Sequence, residues 1–244
     1  MADLVRVELH AHTWWSGDCG VSPRDLCQAA RDAGIDVLAV TDHNQIGGAF
    51  EARDCGIVDV IVGEEIRTDR GELLAYFLKE WIPPRLPPIE TIARIRDQGG
   101  VVSIPHPLDR DRNSTLAADQ LDAVVPLLDM VEVFNSRVIK PDRNRRASEL
   151  CLRNGKIPAV GSDAHTRGEV GNSWQEIPEF DGPQQFLAAM QDARRVFRRA
   201  SPLARIASNW QKVRKRMFGP DVAELAGTGR GDPARSARAA ADGH

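Results

Sequence analysis

The sequence predicts an α/β protein: a closed or distorted β/α barrel, TIM-like, with a metal site at the C-terminal ends of its strands. Three observations carry this. Val/Ile-rich runs of strand length alternate with helical stretches, the pattern of βα units joined by right-handed crossovers into a parallel sheet. Six or seven such units suit a barrel better than an open sheet. Residues of metal-ligating type then recur just past these runs, at His10 and His12, Asp42-His43, Glu64-Glu65, His106, and Asp163 with His165. Barrel enzymes gather their sites from the C-terminal ends of several strands, whereas an open doubly wound sheet feeds one crevice from fewer. No Gly-rich dinucleotide or phosphate loop supports the open version.

The elements follow in order. Val5–His10 alternates apolar and polar residues as a strand does. The loop 13–20 is polar and glycine-rich, and Ser22-Pro23 reads as an N-cap with proline at the first helical position. That helix carries Leu26, Cys27, Ala29, Ala30 and Ala33 inward and stops at Gly34. Val37–Thr41 is a continuous apolar run suited to a buried parallel strand. A short helix over Gly47–Arg53 and a strand over Val58–Val62 come next. Thr68-Asp69-Arg70-Gly71 is a turn that brings Glu72–Leu78 back as a hairpin strand. After the proline cluster 83–88, a helix runs from Pro88 to about Gly99-Gly100, followed by the strand Val101–Ile104. A helix near Ala118–Leu127, a strand Met130–Phe134, a helix Arg143–Arg153 and a strand Ile157–Val160 complete the pattern, with Val196-Phe197 as a last short strand.

Composition excludes several classes. The 244 residues suffice for one sizeable barrel, and 42% hydrophobic with 27% charged residues is ordinary for a soluble domain. A formal charge of -3 implies no particular partner. No run of about 18 apolar residues exists, so no membrane span is expected. The first histidine pair comes too early for a cleavable signal peptide, and Cys19, Cys27, Cys55 and Cys151 lack disulfide or CxxC spacing. Reduced thiols and a cytosolic location are expected. Cys19, beside the candidate metal loop, reads as a small loop filler. Residues 1–200 are assigned to the barrel, 201–218 to a basic C-terminal helix packed on it, and 219–244 to a disordered tail. Arg194 to Arg216 holds nine Arg/Lys and no acid, a segment able to contact nucleic acid or phosphorylated substrate. The simpler reading is a helix packed by Leu203, Ile206, Trp210 and Val213 with solvated basic residues outside.

The metal chemistry follows from residue type. On a strand, positions i and i+2 share a side, so His10 and His12 can converge on one ion. Five of the six histidines lie at the strand ends, and the sixth is His244. His10, His12, Asp18, His43, Glu65, His106, Asp163 and His165 give five imidazoles and three carboxylates, enough for two or three divalent ions. Imidazole mixed with carboxylate suits zinc, manganese or iron. Close metal ions stabilise attacking and leaving oxygens, which points to phosphate-ester hydrolysis, with amide hydrolysis as the competing chemistry. Glu64 and Glu65 point oppositely on a strand, so at most one faces the site. Asp42 is expected to orient a neighbouring histidine by a hydrogen bond.

The order H-x-H-T-x-x-S-x-D, T-D-H, G-x-E, P-H-P and G-S-D-A-H, from His10 to His165, resembles the polymerase and histidinol phosphatase (PHP) superfamily of metal-dependent phosphoesterases. That resemblance implies a distorted seven-stranded β/α barrel and a trinuclear site. One ion would take His10, His12, Glu65 and Asp163; a second Glu65, His106 and one further ligand; a third Asp18, His43 and His165. Many relatives supply His or Cys to the second ion from the strand that here carries Glu132 and Asn135, leaving Asn135 as a weak ligand. The implied reaction is in-line attack of metal-bound hydroxide on phosphorus. Asp18, Glu65 and Asp163 would be its catalytic carboxylates, and Arg137 would clamp the developing charge. Trp14, Trp15 and Trp174 are candidates to line the mouth, with core packing as the alternative reading. The expected substrate is a small phosphorylated molecule, a nucleotide or related phosphomonoester. The rival expectations are a short-oligonucleotide exonuclease, which would use the basic segment, and a metal-binding regulatory module without catalysis. An amidohydrolase fits less well, since no lysine ends a strand.

Overall fold

A computed structural model of the protein describes residues 3–109, 111–112 and 114–200. Among them the strands are β1 (Leu4–Ala11), β2 (Val37–Val40), β3 (Asp59–Thr68), β4 (Gly71–Tyr76), β5 (Val101–Ile104), β6 (Met130–Asn135), β7 (Ile157–Gly161), β8 (Ser173–Pro178) and β9 (Arg194–Phe197). The helices are α1 (Pro23–Asp32), α2 (Gly47–Asp54), α3 (Pro88–Asp97), α4 (Leu121–Val124), α5 (Pro141–Arg153) and α6 (Gly182–Gln191). The basic helix expected over 201–218 and the tail 219–244 lie outside the described residues.

One sheet runs β7-β6-β5-β4-β3-β2-β1-β8-β9 and curls into a nearly closed barrel. β1, β2 and β3 are mutually parallel, as are β5, β6 and β7, while β4 and β8 are antiparallel to their neighbours. Side chains help close the gap between β7 and β1. Gln175 accepts from Val160 N at 2.6 Å and donates to Val160 O and Val7 O at 3.1 and 3.0 Å, standing in for strand pairing. Nearer the strand ends, the Glu8 carboxylate accepts from the backbone and hydroxyl of Ser162 and from Gly171 N.

Alternation divides the core in two. Val7, Val37, Ile61, Leu74, Tyr76, Val101, Met130 and Ile157 fill the lumen, which Phe186 and Met190 of α6 plug at one end. The opposite strand faces, with Leu38, Val40, Val62, Val102 and Val131, pack against α1, α2 and α3 through Leu26, Ala52, Ile92 and Ile95. α1 starts where the sequence places it, with Ser22 Oγ accepting from Asp25 N at 3.0 Å and Pro23 at the first turn. It ends one residue early, and Ala33 is exposed rather than packed inward.

The nine strands exceed the seven that the resemblance implies. β8 gives no hydrophobic alternation because two of the three residues it buries, Ser173 and Gln175, are polar. α6 likewise has no counterpart among the predicted elements. β3 runs six residues past Val62, where its expected strand ends, because the antiparallel ladder with β4 continues from Gly63 to Thr68. The helix expected over 118–127 is broken into a 3-10 turn, the four-residue α4 and a second 3-10 turn containing Pro126.

Candidate metal centre

All the ligating residues predicted from sequence sit at one end of the barrel, which the strand directions explain. His10, Glu65 and Asn135 lie on β1, β3 and β6. His12, His43, His106, Asp163 and His165 lie in the segments that follow β1, β2, β5 and β7. Two β-bulges set which side chains face inward. On β1, three steps from Glu8 to Ala11 oppose two steps on β2, so the alternation changes phase and His10 joins Leu9 on the lumen side. On β6, Glu132 pairs with Ala159 and Asn135 with Gly161, an irregularity that turns two residues three apart toward the same interior. His106 (φ 29°) and Asp163 (φ 54°) adopt left-handed backbone, which Asp and His tolerate better than most side chains.

Glu65 is the hub of the cluster. Its Oε2 lies 3.3 Å from His10 Nε2, 3.4 Å from His12 Nε2 and 3.1 Å from His43 Nδ1, and its Oε1 lies 3.3 Å from His106 Nε2. Glu64, one residue away, points to the other face and accepts from Ile82 N. Asp163 Oδ1 is the second meeting point, 3.4 Å from His12 Nε2, 3.4 Å from His165 Nδ1 and 3.8 Å from His10 Nε2. Asp18 closes the far side, with Oδ2 at 3.1 Å from His165 and 3.6 Å from His43.

Supporting contacts hold these groups in place. Glu132 Oε1 accepts from His10 Nδ1 at 2.9 Å, while its Oε2 accepts from His106 N at 2.7 Å and Asn135 Nδ2 at 3.0 Å. The motif residues Thr13 and Ser16 fasten to Asp42: Thr13 N, Thr13 Oγ1 and Ser16 Oγ all donate to its carboxylate. Asp42 therefore acts on His12 through Ser16, whose hydroxyl is 3.2 Å from His12 Nδ1, and not by the direct histidine contact expected from sequence. The Cys19 thiol is buried beneath the loop, within 3.3 Å of His12 O and 3.2 Å of His165 O.

Other expectations are corrected by the contacts. Asn135 turns its nitrogen toward the cluster, donating to Glu132 and to Asp163 Oδ2, and its Oδ1 accepts from Arg137 N at 2.9 Å. In this arrangement it orients carboxylates and offers no oxygen to an ion. Trp174 is not at the mouth: its ring packs against Arg6, near the start of β1 and away from the histidines. Trp15 donates to Glu51 and lies over α2, while Trp14 is exposed beside the site. Arg137 lies against the cluster, with Nη1 3.4 Å from Asp163 O and Nε 3.8 Å from Glu169 Oε1. Sequence reasoning missed Arg112, whose Nη2 is 2.7 Å from Asp163 Oδ2. It lies in a loop of no distinctive pattern, so no local signal marks it.

The donor set fits divalent metal ions. His12 Nε2, Glu65 Oε1 and both ring nitrogens of His106 are buried without a hydrogen bond, an arrangement that native structures avoid unless another partner binds there. Three groups offer ligand atoms within 4.8 Å of one another: His12, His43 and His165; His10, His12 and Asp163; and His43, Glu65 and Glu72. Burial and the neighbouring rings of His165 and His43 push the His12 imidazole down to about 3. At His43 burial opposes the charge, but Glu65 and Asp18 prevail and raise it to about 10. Burial likewise disfavours ionised Asp163 and Glu65, yet Arg112 beside the first and the histidines beside the second hold both well below the usual carboxylate range.

A family model described as the PHP domain matches residues 8–123, and a second, described as PHP-associated, matches residues 141–194. The chain belongs to the PHP superfamily. The uncharacterized protein MJ0417 of Methanocaldococcus jannaschii is 33% identical over 193 residues, covering 75% of this chain and 78% of that one. Two solved structures share the fold. One is a two-domain Bacteroides vulgatus protein whose description includes a predicted PHP-like metal-dependent phosphoesterase (TM-score 0.65, 17% identity, 81% of this chain and 66% of that chain). The other is a candidate metal-dependent phosphoesterase of Bifidobacterium adolescentis (TM-score 0.56, 22% identity, 66% of this chain and 88% of that chain). In this PHP chain no described helix is long and apolar enough to cross a membrane.

Proposed function

We propose that the chain is a metal-dependent phosphoesterase that hydrolyses a phosphate ester of a small molecule, a nucleotide or related phosphomonoester. The observation that carries this is the Glu65 carboxylate with four histidine nitrogens around it at 3.1 to 3.4 Å, a bridging arrangement for more than one ion. His10, His12, Glu65 and Asp163 would hold one ion, Glu65 and His106 would serve a second, and Asp18, His43 and His165 a third. Zinc, manganese and iron all suit these donors. When bound, such ions supply Lewis acidity at phosphoryl oxygens and lower the pKa of coordinated water.

The chain's own residues supply the rest. Glu132 fixes the His10 ring by accepting from Nδ1, which keeps Nε2 free to ligate. The His43 and Asp18 side chains are 27% and 21% exposed, whereas those of His10, His12, Glu65 and Asp163 are at most 1%. Substrate therefore approaches from the Asp18–His43 side, past the exposed Trp14. Arg112 and Arg137, both beside Asp163, bring positive charge to where a phosphate would develop negative charge.

The test is phosphate release, with manganese or zinc added, from nucleoside monophosphates, 3′,5′-bisphosphates, histidinol phosphate and short oligonucleotides. Preference for one small compound, lost in His12→Ala and Asp163→Ala with circular dichroism near normal, supports the proposal. Full activity in either variant refutes the site. Cleavage of oligonucleotides alone would move the reading to an exonuclease that uses the basic segment 194–216.

A further inference from the structure

We propose that Glu72 is an additional metal ligand, holding a cation together with Glu65 and the Glu65-facing Nδ1 of His43 on the β3–β4 side of the barrel mouth, while His43 Nε2 faces Asp18. This rests on the metal-dependent reading above and adds a donor that none of the five sequence motifs contains. The hairpin register places it. Glu65 pairs with Leu74 and Arg67 with Glu72, so Glu65 and Glu72 lie diagonally on the same lumenal face of adjacent strands. One ligand atom each from His43, Glu65 and Glu72 falls within 4.8 Å of the others.

Two independent features point the Glu72 carboxylate at a ligand. The residue is only 5% exposed, and its Oε2 is buried without a hydrogen bond, while Oε1 is 3.5 Å from Arg67 Nη1. Glu65 Oε1 and His106 Nε2, 3.3 Å apart, also make no hydrogen bond of good geometry. Second, the site brings two buried carboxylates together there, with ligand atoms of Glu72 and Glu65 within 4.8 Å of each other. Two buried carboxylates on one face repel, and a divalent cation between them converts that repulsion into coordination.

The opposite wall makes the extra donor useful. Asn135 of β6 directs its amide nitrogen at Glu132 and Asp163, so β6 gives no oxygen to an ion near His106 and Glu65. A carboxylate from β4 adds charge at Glu65 from the other side, on its His43 edge. It also makes this edge richer in oxygen, which favours manganese over zinc here.

The experiment titrates Mn²⁺ and Zn²⁺ separately into the chelator-stripped full chain by calorimetry, and measures bound metal by elemental analysis. Glu72→Gln is expected to lose one ion per chain, or to bind it at least about tenfold more weakly. Glu72→Asp keeps the charge but withdraws it by one methylene, and is expected to weaken the same binding event, with Mn²⁺ affected more than Zn²⁺. Circular dichroism establishes that each variant is folded, and the Asp variant decides the matter if the Gln variant is not. Wild-type stoichiometry and affinity in the folded variants would overturn the role of Glu72 while leaving the metal-dependent reading intact. If the wild-type chain itself takes up neither metal, both fall together.

Discussion

Glu132→Gln, one atom's change, tests how the metal centre is held. Glu132 is 2% exposed and takes three donors on two oxygens: His10 Nδ1 on one, His106 N and Asn135 Nδ2 on the other. A glutamine has one acceptor oxygen and an NH₂ group, so one side must set donor against donor. If the NH₂ faces His10, the ring is driven to accept at Nδ1 and carry its proton on Nε2, the nitrogen that points at Glu65 and Asp163. That tautomer cannot ligate through Nε2, and metal affinity should fall by about 10–100-fold. If the NH₂ faces the other way, the His106 backbone and Asn135 amide lose their acceptor. A buried group left unsatisfied costs about 1–3 kcal/mol. At about 2–4 °C per kcal/mol for a domain of this size, the metal-free melting midpoint should drop by roughly 2–12 °C. Calorimetric metal titration and thermal denaturation of the stripped protein read the two branches separately. A variant with unchanged midpoint and unchanged metal affinity would falsify the positioning role.

Other predictions follow the same contacts. A Cβ added at Gly161 would lie 2.2 Å from Glu132 Oε1 and 2.7 Å from His10 Cβ, so Gly161→Ala should lower both metal affinity and phosphate release at least about tenfold; an active alanine variant would show that this wall can yield. Arg112→Met removes the cation on Asp163 Oδ2 and should reduce kcat/KM by roughly tenfold or more while bound metal, read by elemental analysis, stays at the wild-type level. Burial pushes the Cys27 and Cys151 thiols up to about 11, so at pH 8 only about one in a thousand of either is thiolate. Mass-mapped alkylation of the folded chain should therefore label the partly exposed Cys55 first and reach Cys27 and Cys151 only on unfolding; early labelling of either buried thiol would contradict their placement.

The sequence by itself determined the barrel class and the end of it that carries chemistry. Parallel strands all present their C-terminal ends together, so a ligand type placed just past each apolar run is already placed in space; His43, His106 and His165 needed nothing more. Strand alternation allowed only one of Glu64 and Glu65 to face the site, and the G-x-E pattern of the family resemblance selected Glu65; Glu64 points away. What depends on pairing between distant segments stayed hidden. β8 buries Ser173 and Gln175 because a glutamine side chain bridges β7 to β1, and no hydrophobic period records such a bond. The inward turn of both Glu132 and Asn135 depends on a bulge that exists only when β6 meets β7. The direction of the Asn135 amide was set by two carboxylates and a backbone N–H, which reversed the ligand role its position suggests. Glu72 and Arg112 reach the centre through a hairpin register and a loop that crosses to Asp163, neither of which leaves a local pattern. Periodicity and spacing are local properties of a chain, whereas the partner that satisfies a buried polar atom is chosen by the assembled sheet.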